Sequence, residues 1–250
     1  TAIAGADHAL ALKSAREAAN FNIITPTLIG DRKKIEDEAR AISWDLKKVP
    51  IINAKNEEET AKAAVHLAKT NKVKAIMKGQ LHTDTLIKAV LNKKDGLRIG
   101  LRLSHIFHMT VPNKKKVLMI TDGAINVDPN LRTKIDIIIN AIELAHALGN
   151  KNPNVAILSA TETPIPSMPS SIEATEVLKS IKKYETKSAN IYGPLAFDNA
   201  ISPEAAKLKS LTHPVAGNAD ILIVPNIETG NSLFKMMVYF MSAVAAGVVM

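Results

Sequence analysis

The chain has 250 residues, 46% of them apolar and 22% charged, with 12 prolines and no cysteine. These proportions exclude a disordered chain, and the missing thiols exclude a disulfide scaffold, a cysteine nucleophile and a cysteine metal site; a reducing compartment, the cytoplasm, is the expected location. The net charge of +8, from 32 basic and 24 acidic residues, favours anionic partners, but nucleic acid is not expected, because the lysines are spread along the chain and aromatics make up only 4%.

From the first residue onward the pattern alternates strand and helix. Residues 7–19 read as an alanine-rich helix, 24–29 as a strand closed by Gly30-Asp31, 32–41 as a charged surface helix and 49–54 as the next strand. Residues 57–70 carry Ala61, Ala64, Val65 and Ala68 at helical spacing. Glu57-Glu58-Glu59 fall in the first turn, where negative charge complements the helix dipole, so the triplet reads as capping and not as metal ligands. Residues 73–77 form a short buried strand that runs into Lys78-Gly79, a polar loop and a helix over 83–91.

After Gly96 the pattern changes. Strands over 101–110 and 116–121 are separated by too few residues for a crossover helix, which predicts an antiparallel hairpin and a domain boundary near Arg102. The run Lys114-Lys115-Lys116 between them reads as a solvated loop. Asp128-Pro129 is the predicted cap of an apolar helix that Gly149 ends, 155–159 is a strand, and 163–169 is a proline-rich loop. Ser170 and Glu173 are expected to form a capping box for a helix to residue 183, followed by a strand over 191–197 and a helix capped by Ser202-Pro203.

The closing stretch reads as strand, turn and buried helix. Residues 221–224 are a strand stopped by Pro225; Glu228-Thr229-Gly230-Asn231 is a polar turn, and Asn231 caps an apolar helix from about Ser232 to the end. Residues 236–250 are uncharged but shorter than the ~20 residues of a membrane helix, so no membrane span is expected. The start in what reads as a strand tail and the lack of glycine, proline or charge at Val248-Val249-Met250 predict that the protein continues beyond this chain, in particular after Met250.

Such alternation specifies an α/β fold of mostly parallel sheets covered by helices on both faces. No G-x-G-x-x-G, Walker loop, G-x-S-x-G elbow or H-E-x-x-H occurs, so dinucleotide and serine-hydrolase readings fall away. His105 and His108, an odd number apart on a strand, point to opposite faces and read as structural; no metal site is expected. Candidate ligand groups are polar residues just past strand ends, where open α/β sheets bind ligands. Lys78 offers point charge, Gly79 close backbone approach and Thr83 a hydroxyl, or together they make an ordinary turn and cap. Asp122 and Asn126 orient a substrate group, or Asp122 makes an Asx-turn with Gly123. Ser159 and Glu162 edge the proline-rich loop as a lid or a plain connector, and Asn199 binds ligand or caps a helix. Glu228, Gly230, Asn231 and Lys235 surround a strand-to-helix turn suited to an anion, with Lys235 one helical turn after Asn231.

Several blocks resemble one family. They are MKGQLHTDTL at 77–86, GLR at 96–98, LSHIF at 103–107, ITDGAIN at 120–126, AHALG at 145–149, VAILSATET at 155–163, GPLAFDNAIS at 193–202 and VAGNADILIVPN at 215–226, continued by ADILIVPNIETGN and an apolar helix. The chain thereby resembles the phosphate acetyltransferase and phosphate butyryltransferase family, closest in style to members fused to enoyl-CoA hydratase domains. The resemblance implies two α/β domains, 1–102 and 103–250, facing a cleft in the manner of isocitrate and isopropylmalate dehydrogenases. It implies reversible acetyl transfer between coenzyme A and inorganic phosphate, with acetyl-CoA, phosphate and acetyl phosphate as reactants, coenzyme A as a substrate and no permanently bound cofactor. Without cysteine or a serine elbow, direct attack by the coenzyme A thiolate is the expected route, in a homodimer. A butyryltransferase is the alternative within the family. In the family a T-S-R-A-D-S block follows the apolar helix, so the catalytic serine, arginine and aspartate are expected beyond Met250; a truncated, non-catalytic ligand-binding or dimerisation protein is the alternative of another class.

Overall fold

In the computed structural model, which describes residues 1–184, 186 and 188–250, the chain divides into two units, residues 1–100 and 101–250. The first contains β1 (Ala2–Ala4), α1 (Ala9–Asn20), β2 (Thr27–Gly30), α2 (Arg32–Ala41), β3 (Ile51–Asn53), α3 (Glu57–Lys69), β4 (Ile76–Lys78) and α4 (Thr83–Val90). Its four strands are all parallel, in the order β3-β2-β1-β4. Ile3 and Leu28 pack against Leu12, Ala15, Ile35 and Ala39, which seats α1 and α2 on one face. Ala2, Ala4 and Ile29 pack against Ala61, Ala64 and Leu67, which seats α3 on the other. Period-two alternation along each strand thus sends successive side chains to opposite helical layers.

Local chemistry sets the helix starts. Asp31 accepts the Lys34 N–H, and Asn56 accepts the Glu59 N–H while Glu59 accepts the Lys55 N–H, so Glu59 serves the start of α3 as the sequence suggests. β4 departs from expectation. It is an edge strand whose Ile76 and Met77 are only half-buried, because the sheet ends there and one side lacks a neighbour.

The second unit contains β5 (His105–Thr110), β6 (Leu118–Thr121), α5 (Leu131–Ala147), β7 (Asn154–Leu158), α6 (Pro169–Ile181), β8 (Asn190–Leu195), α7 (Phe197–Ile201), α8 (Pro203–Leu208), β9 (Ile221–Ile223), α9 (Ile227–Met241) and β10 (Val244–Val249). The six-stranded sheet runs β10-β5-β6-β9-β7-β8. β5 and β6 form the antiparallel hairpin read from their spacing, and β6, β9, β7 and β8 are parallel. Ile137, Ile138, Ala141, Val177 and Ile181 of α5 and α6 cover one face over Val155, Ile157, Ile221 and Ile223. Ala200 and Met237, from α7 and α9, cover the other over Ile120, Ala156 and Leu222.

Three local expectations are corrected. α5 is capped by Asn130, whose side chain accepts the Thr133 N–H, and not by Asp128-Pro129 two residues earlier. Ser170 and Glu173 form no capping box: Pro169 opens α6 after Met168, Ser170 bonds the Ser159 hydroxyl at 3.0 Å, and Glu173 pairs with the buried Lys134 of α5. The largest change is at the end. α9 begins at Asn226, which accepts the Thr229 N–H, so Glu228 to Asn231 form the first turn of the helix instead of a loop before it. The helix closes at Ser242, held left-handed at φ 51°, and Val244–Val249 turns back as an antiparallel edge strand on β5. The β-branched valines favour a strand there, and the free β5 edge supplies six pairing partners. Nor is the end of the chain buried as expected: Tyr239 and Phe240 of α9 are 80% and 87% exposed, and Val244 of the new strand is 69% exposed. Among the described residues no helix is long and apolar enough to cross a membrane.

Candidate active site

In each unit, neighbouring parallel strands whose chains leave toward opposite helical layers open a crevice at their carboxyl ends, the usual ligand position of such sheets. In the first unit these strands are β1, leading to α1, and β4, leading to α4. The two strand-end loops meet backbone to backbone: Gly79 N–H donates to Ala4 O at 2.7 Å and Gln80 N–H to Gly5 O at 2.9 Å. A Cβ on Gly79 would lie 2.3 Å from Gly5 O, and Gly5 itself has φ +79°. Only glycine permits this approach.

Lys78 and Thr83 stand exposed beside that contact, and the Lys78 ammonium reaches Gly79 O at 3.3 Å. Two groups that frame them, Glu57, read from the sequence as helix capping, and His82, were not among the candidates. Glu57, at the start of α3, accepts the His82 backbone N–H at 2.8 Å and holds the ring Nδ1 at 2.9 Å. The hydrogen bonds to the His82 backbone and ring lower the Glu57 carboxyl below its ordinary value, and the Glu57 bond and charge raise the His82 imidazole above its own. The available signal was local: Glu57 and His82 each stand at the start of a helix that follows a strand of one parallel sheet, and parallel strands bring such starts side by side.

In the second unit β6 leads to α5 and β9 to α9, on opposite faces. Here too a glycine pair closes the floor: a Cβ on Gly230 would meet Asp122 O at 2.5 Å and Gly123 Cα at 2.9 Å. Asn231 donates its side-chain amide to Gly123 O at 3.2 Å, tying α9 to the β6 loop. The carboxylate of Asp122, 2% exposed, is wholly engaged. It accepts the N–H groups of His105, Ala124, Ile125 and Asn126 and the Asn126 side-chain amide, five donors in all. Asn126, 4% exposed, also donates to Leu103 O and accepts from the Arg102 guanidinium. Of the alternatives open in the sequence, the Asx-turn is therefore what Asp122 makes. Glu228 and Lys235 of α9 remain exposed.

Ser159, Glu162 and Asn199 gather at the ends of β7 and β8. Glu162 accepts the Asn199 side-chain amide, the Ala196 N–H at 3.3 Å and the Lys209 ammonium at 3.2 Å. Burial pushes its carboxyl up, and these three donors, Asn199 foremost, bring it below the ordinary carboxylate range. Lys209 is a second residue absent from the sequence reading. Asn199 is 1% exposed and its Oδ1 has no partner among the described residues, so no side-chain cap of α7 is seen there. Ser159 bonds Ser170 as described above. Burial holds the His105 imidazole below its ordinary value, only partly offset by the Asp122 charge, and its ring meets that of Phe107 at a tilt of 51°, with centroids 4.3 Å apart.

The twelve candidate residues thus fall into three groups at carboxyl ends of parallel strands. Sequence comparison says what such an arrangement belongs to. Residues 58–250 match the family model described as phosphate acetyl/butaryl transferase. The chain belongs to this family. All eight motif blocks lie within the matched residues, so the resemblance drawn from them is borne out. Among its relatives, the phosphate acetyltransferase of Rickettsia prowazekii is 48% identical over 240 residues, 96% of this chain and 68% of that protein. The phosphate butyryltransferase of Clostridium acetobutylicum is 40% identical over 238 residues, 95% and 79% of the two chains. The crystal structure of a branched-chain phosphotransacylase from Enterococcus faecalis superposes with a TM-score of 0.86 at 32% identity, covering 99% of this chain and 87% of that one.

Proposed function

We propose that this family member is a phosphate acetyltransferase, moving an acetyl group reversibly between coenzyme A and inorganic phosphate. The observation that carries this reading is the 48% identity, over 96% of the chain, to a phosphate acetyltransferase. A second reading, butyryl transfer, is favoured by the 40% identity to a butyryltransferase over nearly the same residues.

The reaction needs a thiolate from a thiol of ordinary pKa about 8.5, cations and amide donors for phosphate, and donors for the oxyanion of the tetrahedral transition state. The exposed groups beside the two glycine contacts are suited to the second need. Lys78, Thr83 and Lys235 reach solvent, Gly79 and Gly230 let backbone approach closely, and Glu228 and Asn231 lie in the first turn of α9. Asp122, Asn126, Ser159, Glu162 and Asn199 act one step back, holding the loops that carry those groups. With no cysteine in the chain, the coenzyme A thiolate attacks acetyl phosphate directly in this scheme, without an acyl-enzyme on sulfur. Coenzyme A is a substrate in this reading, and the protein works in the cytoplasm as a homodimer, without a bound metal, as two domains, 1–102 and 103–250.

The test is coenzyme A release from acetyl-CoA. Release that requires phosphate or arsenate, and proceeds without metal or nicotinamide, is the expected result. Release without phosphate identifies a thioesterase, and no release from any acyl-CoA overturns the proposal. Comparing acetyl-CoA with butyryl-CoA decides between the two acyl groups.

A further inference from the structure

A groove of about 470 Å³ is lined by residues of α3, α4 and the turn after α4 in the first unit. This volume lies in the ordinary range of small-molecule sites, roughly 300 to 1,000 Å³. Its walls follow two helices: Glu58, Lys62, His66 and Lys69 recur about every turn along α3, and Thr85 and Lys88 lie one turn apart on α4, with Asn92 just past its end. The floor is apolar, made by Val65, 2% exposed, and the half-buried Ala89.

The charges lining it do not cancel. Asp95 is matched by Lys69, 3.7 Å away, and Lys69 also donates to Lys94 O. Lys62 on one wall and Lys88 on the other make no ion pair or hydrogen bond among the described residues, although both line the groove. Glu58 at one end leaves this pair a net positive charge. That remaining positive charge favours an anion in the groove, and a phosphate monoester carries about −1.5 to −2 at neutral pH. The organic part of such a monoester has the apolar Val65 and Ala89 beside it.

We propose that the α3–α4 groove is a second ligand site, separate from the acyl-transfer site, which takes a nucleoside monophosphate with its phosphate between Lys62 and Lys88. Neither lysine belongs to the strand-end groups assigned above, so the site acts on activity only through its occupant.

Adenosine 5′-monophosphate is the probe, followed by backbone amide shifts of the full-length protein. Saturable shifts should concentrate in α3 and α4, persist with saturating coenzyme A, and require at least tenfold more adenosine or inorganic phosphate to reproduce. In the Lys62→Met/Lys88→Met variant the affinity for the monophosphate should fall at least tenfold, while acetyl-CoA turnover in its absence and the melting temperature stay unchanged. The proposal is overturned if the α3 and α4 amides do not move, if coenzyme A abolishes the shifts, if inorganic phosphate alone matches the nucleotide, or if the double variant binds as well as the wild type.

Discussion

At the ends of β1 and β4 the backbone of Gly79 rests on that of Gly5, and at the ends of β6 and β9 the backbone of Gly230 rests on that of Asp122 and Gly123. Both crevices therefore have a floor of main chain that no side chain can occupy. They differ in what stands on that floor. In the first unit the neighbouring polar groups, Lys78, Thr83 and His82, are exposed; Glu57 fastens His82, and Lys78 reaches only the backbone oxygen of the next residue among the described residues. In the second, Asp122 and Asn126 are buried and bonded to their own loop and to the segment 102–105. Buried, satisfied polar groups build a site, and exposed ones are left to meet a ligand.

The sharpest way to break this comparison is to fill a floor. Gly230→Val places a methine carbon where 2.5 Å separates it from Asp122 O, a backbone atom that cannot swing aside. Overpacking of this kind costs typically 1 to 3 kcal/mol and occasionally more; a loss of about 3 kcal/mol in urea unfolding is expected, and a loss of less than a third of that would mean α9 can slide. Next comes Asp122→Asn, which keeps the shape but exchanges a carboxylate oxygen for a donor facing other donors. Hydrogen bonds to a charged group contribute about 1.5 to 3 kcal/mol, so a loss of about 2 kcal/mol is expected, with turnover falling only as far as the folded fraction does. A larger fall in turnover than in stability would place Asp122 among the reacting groups.

Smaller effects sharpen the other half. Lys78→Met and Lys235→Met should each raise a Michaelis constant, for phosphate or coenzyme A, by roughly tenfold, which is about 1.4 kcal/mol, and leave the melting temperature unchanged. Unaltered constants in both variants would remove the lysines from the site. The smallest effect is a titration. His82 should titrate above the ordinary imidazole value of about 6.5 and return toward it in Glu57→Gln, followed by its ring proton shifts. A raised base stabilises below its unfolded value and loses this as pH climbs through the folded one; a depressed acid stabilises above its unfolded value, about 4.3, and loses this as pH falls through the folded one. The Glu57–His82 pair therefore contributes in full between about pH 4.3 and 6.5.

Much of the fold was legible because its signals are local. The charged helix Arg32–Ala41 was bounded to the residue by Asp31 and its apolar spacing, and the β5–β6 hairpin followed from a connection too short to cross over. The end of the chain was misread because a run of Val, Ala, Gly and Met carries no period: only the free edge of β5, more than a hundred residues earlier, makes Val244–Val249 a strand. The same limit applies to the site. Every strand-end candidate was visible, but the partners that sort them, Gly5 for Gly79 and Lys209 for Glu162, lie far off in sequence and carry no motif.

The shared acceptor at the end of β6 also sets a timescale. Since the amides of His105, Ala124, Ile125 and Asn126 all end on the Asp122 carboxylate, none can be released to solvent by a private fluctuation that leaves the others in place. Their hydrogens should exchange together, through one cooperative opening that lifts the loop from the glycine floor. A ligand resting on that loop would slow all four equally, so a common protection factor would report occupancy of the crevice even where no side chain touches the ligand.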